Sequence, residues 1–121
     1  MKYLINQYPL HKKKFVFAPL GIEDRNIINK NSKDNVLRVI TCSFIKPVKR
    51  LDFVAHTLKE LSELSPKKIE WFHIGSGKNF LIFRKKILKI LPQKKVSFFF
   101  LGHMTNKEIF NFYKTQNLDL F

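Results

Sequence analysis

Three apolar runs with the pattern of buried parallel strands are the feature that most constrains how this chain can fold. They cover residues 36–43, 68–77 and 95–102, and each ends in Ser or Gly before a basic stretch with helical spacing. Strands and helices that alternate in this way form a parallel sheet through right-handed crossovers. The sequence therefore predicts an α/β fold, a Rossmann-like parallel sheet with flanking helices, whose ligands lie beyond the carboxyl ends of the strands.

Helical spacing predicts three helices that follow these strands. The first covers residues 50–64 and ends before Pro66, and the second covers residues 80–91 and stops at Pro92. The third is capped by Thr105 or Asn106, with Glu108 completing a capping box if Thr105 is the cap. The predicted apolar stripes are Leu51, Val54, Ala55, Leu58, Leu61 and Leu64 in the first helix, and Leu81, Ile82, Ile87, Leu88 and Leu91 in the second.

The chain divides into a lead-in and an ordered domain. Residues 1–35 are predicted to be an irregular or weakly helical lead-in and interdomain segment, with a short extended piece at 15–17 and a polar loop at 24–35. Residues 36–121 are predicted to be a partial Rossmann-like domain. Its last residues, 118–121, have the pattern of the first part of a fourth strand, so we expect this domain to belong to a larger unit or to need a partner at its exposed edge.

Charge is the unusual property of the composition. The 121 residues include 23 Lys and Arg against 9 Asp and Glu, which gives a formal net charge of +14. Such a surface attracts anions, whether nucleic acid, an anionic bilayer surface or a phosphorylated small molecule. Composition does not separate these partners, and a coding bias that leaves lysines on solvated faces explains the charge equally well.

Cysteine use and hydropathy restrict the classes of protein further. Cys42 is the only cysteine, so no disulfide can form within the chain and no cysteine-based metal site is available, which fits a reducing cytoplasm. The amino end has only three consecutive apolar residues, and we expect no secretory signal. No apolar stretch of the sequence has the length of a membrane span.

The loop after the first strand is the strongest candidate for a binding site. Beyond Ser43 it carries Lys46, Lys49 and Arg50 beside the start of a helix, whose free amides favour an anion. Positively charged side chains are disfavoured at that end of a helix, so a bound phosphate would explain the presence of these three cations. A solvated basic loop is the alternative.

The loops after the second and third strands are weaker candidates. Gly75, Ser76 and Gly77 tolerate the tight conformations that bring backbone amides close to a phosphate, but Phe80 stands where a dinucleotide fingerprint has its third glycine. A plain strand-to-helix turn is equally consistent. Gly102 and His103 occupy the equivalent loop, where His103 could donate to a phosphate or sugar or be an ordinary surface residue.

Other residues that could carry chemistry have structural explanations. His73 and Trp71 lie within the second strand and are predicted to be packed, and residues 98–100, three phenylalanines, are predicted to be core in an interior strand. His11, His56 and His73 lack the spacing of metal ligands, and no Ser-His-Asp order or carboxylate pair stands out. We therefore predict no catalytic residue and no metal site within this chain.

From residue 36 onward the chain resembles the carboxyl-terminal, donor-binding domain of the retaining glycosyltransferases built from two Rossmann-like domains (GT-B fold, family 4 or group 1 type). Residues 41–52 (TCSFIKPVKRLD) resemble the family's first strand-to-helix segment, and residues 69–77 (IEWFHIGSG) resemble its second strand and Gly-x-Gly turn. The third strand and helix are matched by 100–102 (FLG), 105–109 (TNKEI) and Tyr113, the next strand by 118–121 (LDLF), and the crossing segment by 19–22 (PLGI). These matches follow the family's order over most of the chain.

The resemblance implies that a nucleoside-diphosphate sugar binds in the crevice, as a substrate rather than a cofactor. Lys49 stands at the position of the lysine that contacts the donor diphosphate, with Ser43 and Arg50 beside it. The loop residues Gly75, Ser76, Gly77, Gly102 and His103 would face the donor. Phe44 occupies the place where the family often has an arginine.

The resemblance also has implications for the acceptor, for the cellular location and for how much of the enzyme this chain represents. The acceptor would be a glycan or a lipid-linked glycan held by an amino-terminal domain, and the enzyme would be cytoplasmic, with peripheral association at the inner face of the membrane. The family's motif of two glutamates falls after residue 121, so we expect a fragment that is inactive alone. The alternative is a binding module for polyanions, either an anionic membrane surface or nucleic acid, although no specific nucleic-acid motif is present.

Overall fold

A parallel sheet forms the centre of the molecule. The computed structural model describes residues 6–14 and 34–120 of the chain. Within them, β1 (Val36–Cys42), β2 (Lys68–Ile74) and β3 (Val96–Gly102) pair in parallel in the order β1-β2-β3. The β-branched and aromatic residues of these runs suit a sheet that is covered on both faces. The three predicted strands are therefore confirmed.

Among the described residues, three α-helices flank the sheet. They are α1 (Leu51–Leu64), α2 (Phe80–Ile90) and α3 (Asn106–Thr115), and short 3-10 helices occupy Pro9–Lys14 and Pro47–Lys49. Thr105 caps α3 in a capping box: its backbone amide donates to Glu108 Oε2 at 2.7 Å, and the Glu108 amide donates to Thr105 Oγ at 3.4 Å. These bounds confirm the predicted helices, and of the two candidate caps, Thr105 and Asn106, the structure has Thr105.

The helices lie on opposite faces of the sheet. Consecutive strand residues point to opposite faces, and Val39 packs in one buried cluster with residues of α1 and α2, whereas Ile40 packs in another with residues of α3. The first cluster comprises Val39, Leu51, Ala55, Leu58, Ile69, Trp71, Ile87, Leu91 and Val96, and the second comprises Ile40, Ile74 and Leu118. The chain thus covers both sides of one sheet, as Rossmann-like α/β folds do.

A fourth strand begins beside β1, on the side away from β2. Leu120 forms a parallel bridge with Val39, and the Ile40 amide donates to the Leu120 carbonyl at 2.9 Å. The Asp119 amide donates to the Arg38 carbonyl at 2.9 Å. The chain therefore reverses its direction of winding after β3, and the carboxyl end of β1 lies at the switch point where ligands of such sheets bind.

Two predictions about packing are wrong. β3 lies at an edge of the described sheet rather than in its interior, and Phe99 is accordingly exposed. In α2, Leu81 and Ile82 are 69% and 71% exposed, because the face that meets the sheet is set by Phe83 and the fully buried Ile87. Residues four apart share a helix face, and Leu81 and Ile82 fall outside that spacing.

The remaining predictions concern the end of α1 and the residues before β1. Leu64, predicted on the apolar stripe of α1, is the last residue of that helix and is exposed, so this part of the prediction is wrong. The 3-10 helix at Pro9–Lys14 agrees with the expected weakly helical lead-in. The predicted extended piece at 15–17, the segment 19–22 and most of the polar loop at 24–35 lie outside the described residues.

Candidate functional site

Backbone hydrogen bonds join the three loops at the carboxyl end of the sheet. The Ser43 amide donates to the Ile74 carbonyl at 2.9 Å, and the Ile45 amide donates to the Ser76 carbonyl at 2.9 Å. Across the next pair, the Gly75 amide donates to the Gly102 carbonyl at 2.7 Å. These bonds continue the pairing of the sheet beyond its strands, so the predicted site residues of all three loops lie side by side.

Two of the glycines are required by this close approach of the loops. Gly75 has φ of 146°, and a Cβ atom added to it would overlap the Ser43 carbonyl oxygen. A Cβ at Gly77 would lie 2.7 Å from the Ile45 carbonyl oxygen, closer than real Cβ contacts come. Gly102 has φ of 74° with open space around it, so its backbone conformation favours glycine there. Contact between loops therefore accounts for Gly75 and Gly77.

Ser43 and Lys49 share one cavity at the end of β1. Its volume is about 430 Å³, and it extends from the first residues of α1 to α3. The residues that line it are Ile40, Thr41, Cys42, Ser43, Lys49, Leu51, Val54 and Tyr113. Ser43 Oγ is shielded from solvent and has no hydrogen-bond partner in the described structure. The cavity thus holds one hydroxyl without a protein partner and one exposed cation.

Tyr113 and Cys42 form the wall of this cavity opposite α1. Burial raises the pKa of the Tyr113 phenol, and the neighbouring Cys42 thiol raises it further. Cys42 is the last residue of β1 and is exposed. Sequence reasoning missed both residues as parts of the site, because spacing along the chain does not reveal which helix covers the end of a strand.

Arg50 lines a second cavity, which Lys49 does not line. Arg50 immediately precedes α1 in a left-handed conformation, with φ of 49° and no side-chain cap. This cavity, of about 380 Å³, opens between the start of α1 and α2, and Arg50 lines it together with Lys46, Ile82 and Lys86. The structure therefore does not bring Arg50 to the cavity of Ser43 and Lys49.

An ion pair lies at the rim of this second cavity. The Lys86 ammonium lies 3.0 Å from Asp52 Oδ2, and its hydrogen bond lowers the pKa of that carboxyl group. Asp52 stands in the first turn of α1, where a carboxylate is favoured by the free helix amides.

The predicted donor loops also separate. Ser76 and Gly77 line a third cavity, of about 650 Å³, together with Phe44, Lys46 and Lys78. His103 is exposed, and neither it nor Gly102 lines any of these three cavities. The loops are therefore neighbours, but only Ser43 and Lys49 of the predicted residues share the cavity at the switch point.

Three polar side chains of β1 and β2, those of Thr41, Trp71 and His73, contact one another through hydrogen bonds. Trp71 Nε1 donates to Thr41 Oγ at 2.9 Å, and His73 Nδ1 lies 2.8 Å from the same oxygen. Trp71 and His73 are fully buried, which confirms the prediction that both are packed. Burial lowers the pKa of His73 to about 4, although the nearby Ser43 backbone opposes this shift. His73 Nε2 does not reach hydrogen-bond geometry with any group in the described structure.

Residues 6–14 and 34–120 contain no group of three or more His, Cys, Asp or Glu side chains placed to hold a metal ion. Among the helices of those residues, none has the length and hydropathy needed to cross a membrane.

Comparisons of the chain with known protein families, with curated proteins and with solved structures find no match.

Proposed function

We propose that this chain binds the diphosphate group of a nucleoside-diphosphate sugar and forms the donor-binding part of a glycosyltransferase. The observation that carries the proposal is the cavity at the end of β1, which Ser43 and Lys49 share. It lies where the winding of the sheet reverses, and ligands of open α/β sheets bind in such crevices.

The chemistry of this cavity suits an anion. Lys49 supplies a positive charge, and Ser43 Oγ supplies a hydroxyl that no group of the described residues engages. The first turn of α1, which begins with Leu51 in the same cavity, adds the positive end of a helix. In the proposed reaction the nucleoside diphosphate is the leaving group, and these groups stabilise the negative charge that it gains as the bond to the sugar breaks.

The sequence resemblance narrows the anion to a sugar nucleotide. It assigns Lys49 to the diphosphate, and the structure independently gives Lys49 a cavity of about 430 Å³, within the range of ligand pockets. Phe44, which replaces the family's arginine, is exposed and lines the neighbouring cavity instead. We propose that Lys49 is the principal cation for the diphosphate in this chain, and that the acceptor, a glycan or a lipid-linked glycan, binds to a separate domain. The proposed enzyme is cytoplasmic.

Calorimetric titration of the full chain tests this function. The ligands are uridine and guanosine diphosphates, their sugar conjugates and inorganic phosphate. We expect a nucleoside diphosphate to bind more tightly than phosphate, and Lys49→Ala to weaken binding by roughly tenfold or more, as loss of a charged hydrogen-bond donor does. Lys94→Ala is the matched control, since Lys94 is an exposed lysine in the loop before β3, at the opposite end of the sheet.

Two results would contradict the proposed function. A Lys49→Ala variant that binds as tightly as the Lys94→Ala variant would remove Lys49 from the site. Binding of every anion alike, with an affinity that falls steeply with salt, would instead identify a general polyanion binder.

A further inference from the structure

The second cavity, which Arg50 lines, has no part in the function proposed above. It opens between the start of α1 and α2, and its volume of about 380 Å³ is within the range of pockets that hold small molecules. Neither Ser43 nor Lys49 lines it. Leu51 is the one residue that lines both this cavity and the cavity of Ser43 and Lys49. The two cavities are therefore neighbours with different chemistry.

Apolar side chains make up half of the lining of the second cavity. Leu51 is buried, and Ile45 and Phe83 are partly buried against the core. Ile82 remains 71% exposed on the wall of the cavity. The apolar members of the lining are Ile45, Pro47, Leu51, Ile82 and Phe83. A ligand that covers Ile82 removes apolar surface from water, so this wall favours a ligand with an apolar body.

Two cations of the same lining are available to a ligand. The ion pairs among the described residues involve Arg38 and Lys86, so neither Arg50 nor Lys46 has an acidic partner there. The Arg50 guanidinium carbon lies 5.9 Å from the centre of the Phe53 ring, and the Lys46 ammonium lies 6.0 Å from the centre of the Phe44 ring. Arg50 and Lys46 are both exposed.

The carboxylate that lines the second cavity is already neutralised. Asp52 Oδ2 lies 3.0 Å from the Lys86 ammonium, and this hydrogen bond lowers the pKa of the Asp52 carboxyl group. With Arg50, Lys46 and Lys86 against Asp52 alone among the described lining residues, the lining is positive. It therefore favours an anion rather than a cation.

The backbone of Arg50 gives a further reason to expect a ligand. Its φ of 49° and ψ of 37° lie in the left-handed region, which residues other than glycine adopt at a cost. Among the described residues it is the one non-glycine with positive φ. It also precedes α1 directly, where free amides disfavour a cation, and its side chain does not cap the helix. A bound anion would offset both costs of an arginine at this position.

We propose that the second cavity binds a small organic acid, with one carboxylate on an apolar body. Arginine presents a planar fork of N–H donors that matches the two oxygens of a carboxylate, so Arg50 holds the charged end. The apolar body lies against Ile82 and Phe83. Inorganic phosphate and a nucleic-acid backbone carry charge without such a body and would leave this wall exposed. The proposal does not depend on donor binding, because Ser43 and Lys49 line a different cavity.

Calorimetric titration of the full chain with 3-phenylpropanoate tests the proposal. The comparison compounds are 3-phenyl-1-propanol, which has the same apolar body without the charge, and acetate, which has the charge without the body. We expect 3-phenylpropanoate to bind about tenfold more tightly than either, since each comparison compound lacks one of the two matched features. Equal binding of acetate would reduce the site to a general anion site and overturn the proposal.

Arg50→Gly separates loss of the ligand contact from loss of the fold. Glycine adopts a φ of 49° without steric cost, so we expect the variant to keep its Tm. Binding of 3-phenylpropanoate weakens about tenfold or more, because the charged donor is lost. Arg84→Gln is the control for charge, since Arg84 is exposed on α2 and lines none of the three cavities. Equal affinities of these two variants would contradict the role of Arg50.

The apolar wall has a closely matched pair of variants. Ile82 and Leu81 are adjacent in α2 and are 71% and 69% exposed, but Leu81 lines none of the three cavities. We expect Ile82→Asn to weaken binding of 3-phenylpropanoate about threefold to tenfold and Leu81→Asn to leave it unchanged. Equal effects of the two changes would overturn the proposed place of the apolar body.

Amide chemical shifts locate the bound acid directly. On titration with 3-phenylpropanoate we expect the resonances of Asn79 and Ile82 to move, because both residues line the second cavity, and that of Lys94 to stay. The proposal is overturned if the chain shows no saturable binding up to about 10 mM, where even millimolar affinity is evident. It is also overturned if the shifts that move belong to residues away from this cavity.

Discussion

Two buried polar atoms near the loops belong to residues with different roles, one in ligand binding and one in stability. Ser43 Oγ and His73 Nε2 both lack hydrogen-bond partners in the described structure. Ser43 lines an open cavity, whereas His73 lies under the loops, with its ring 5.8 Å from that of Phe100 and 6.2 Å from that of Phe83. We therefore expect Ser43 to act in ligand binding and His73 to act through stability.

Ser43→Ala separates these two roles. A buried hydroxyl without a partner costs about 1–3 kcal/mol, so its removal leaves the free energy of unfolding unchanged or raises it. The same change weakens binding of a nucleoside diphosphate, if the hydroxyl donates to it. Urea denaturation and calorimetry measure the two effects on one sample. A variant that is less stable but binds normally would contradict the assignment.

His73 predicts how stability depends on pH. Its pKa is lowered from 6.5 to about 4 in the folded chain, so below pH 6.5 the unfolded state binds a proton that the folded state does not. Stability is therefore lost as the pH falls from 6.5 towards 4, by about 1–3 kcal/mol. His73→Gln should flatten this part of the stability curve, and His103→Gln, at an exposed histidine, is the comparison. An unaltered slope in His73→Gln would assign the acid sensitivity to other groups.

At the scale of the element, α2 shows how one helix carries two apolar faces. Ile87 is fully buried against the sheet, and Ile82 is 71% exposed on the same helix. Ile87→Ala leaves a cavity in the core and costs about 2–5 kcal/mol, whereas Ile82→Ala changes stability by less than about 0.5 kcal/mol. Thermal or urea unfolding of the two variants measures the contrast. Equal losses would mean that Ile82 also packs against the protein.

The same helix shows what the sequence could and could not predict. The bounds of α2 follow from Pro92 and the apolar spacing, and β1, β2 and β3 follow from their β-branched and aromatic runs. The face of α2 that meets the sheet could not be chosen, because Leu81 and Ile82 are as apolar as Phe83 and Ile87. The edge position of β3 was missed for a related reason, since strand order depends on contacts between distant segments.

The candidate site was predictable to a smaller extent. The loop that carries Ser43 and Lys49 follows from its place after a buried strand. The separation of Arg50 from Lys49 does not, because it depends on the left-handed backbone at Arg50, which local sequence does not specify. Gly75 and Gly77 were recognised as special positions, but the reason, contact with the loop after β1, needs the structure.

For the whole molecule, charge predicts the response to salt. The chain has a formal net charge of +14, and its described ion pairs, Arg38 with Asp34 and Glu70, and Lys86 with Asp52, are few against this excess. Screening of the repulsion, which has a range of about 10 Å at 0.1 M salt, stabilises the folded state. We expect the Tm to rise with added sodium chloride, by several degrees from low salt.

A charge reversal tests the same explanation. Lys94→Glu lowers the net charge at an exposed site, so it should raise the Tm at low salt and reduce the response to further salt. A Tm that falls as sodium chloride is added would show that ion pairs outweigh the repulsion.

The hydrogen bonds that join the loops after β1, β2 and β3 have a consequence for the kinetics of binding. Ser43, Ile45 and Gly75 are held in place by neighbouring backbone before any ligand arrives. A ligand that enters at this end of the sheet does not have to order these segments, and so loses less affinity to the entropy of immobilised chain. Association then follows a single exponential whose rate grows linearly with ligand concentration, and changes in affinity among variants appear mainly in the rate of dissociation.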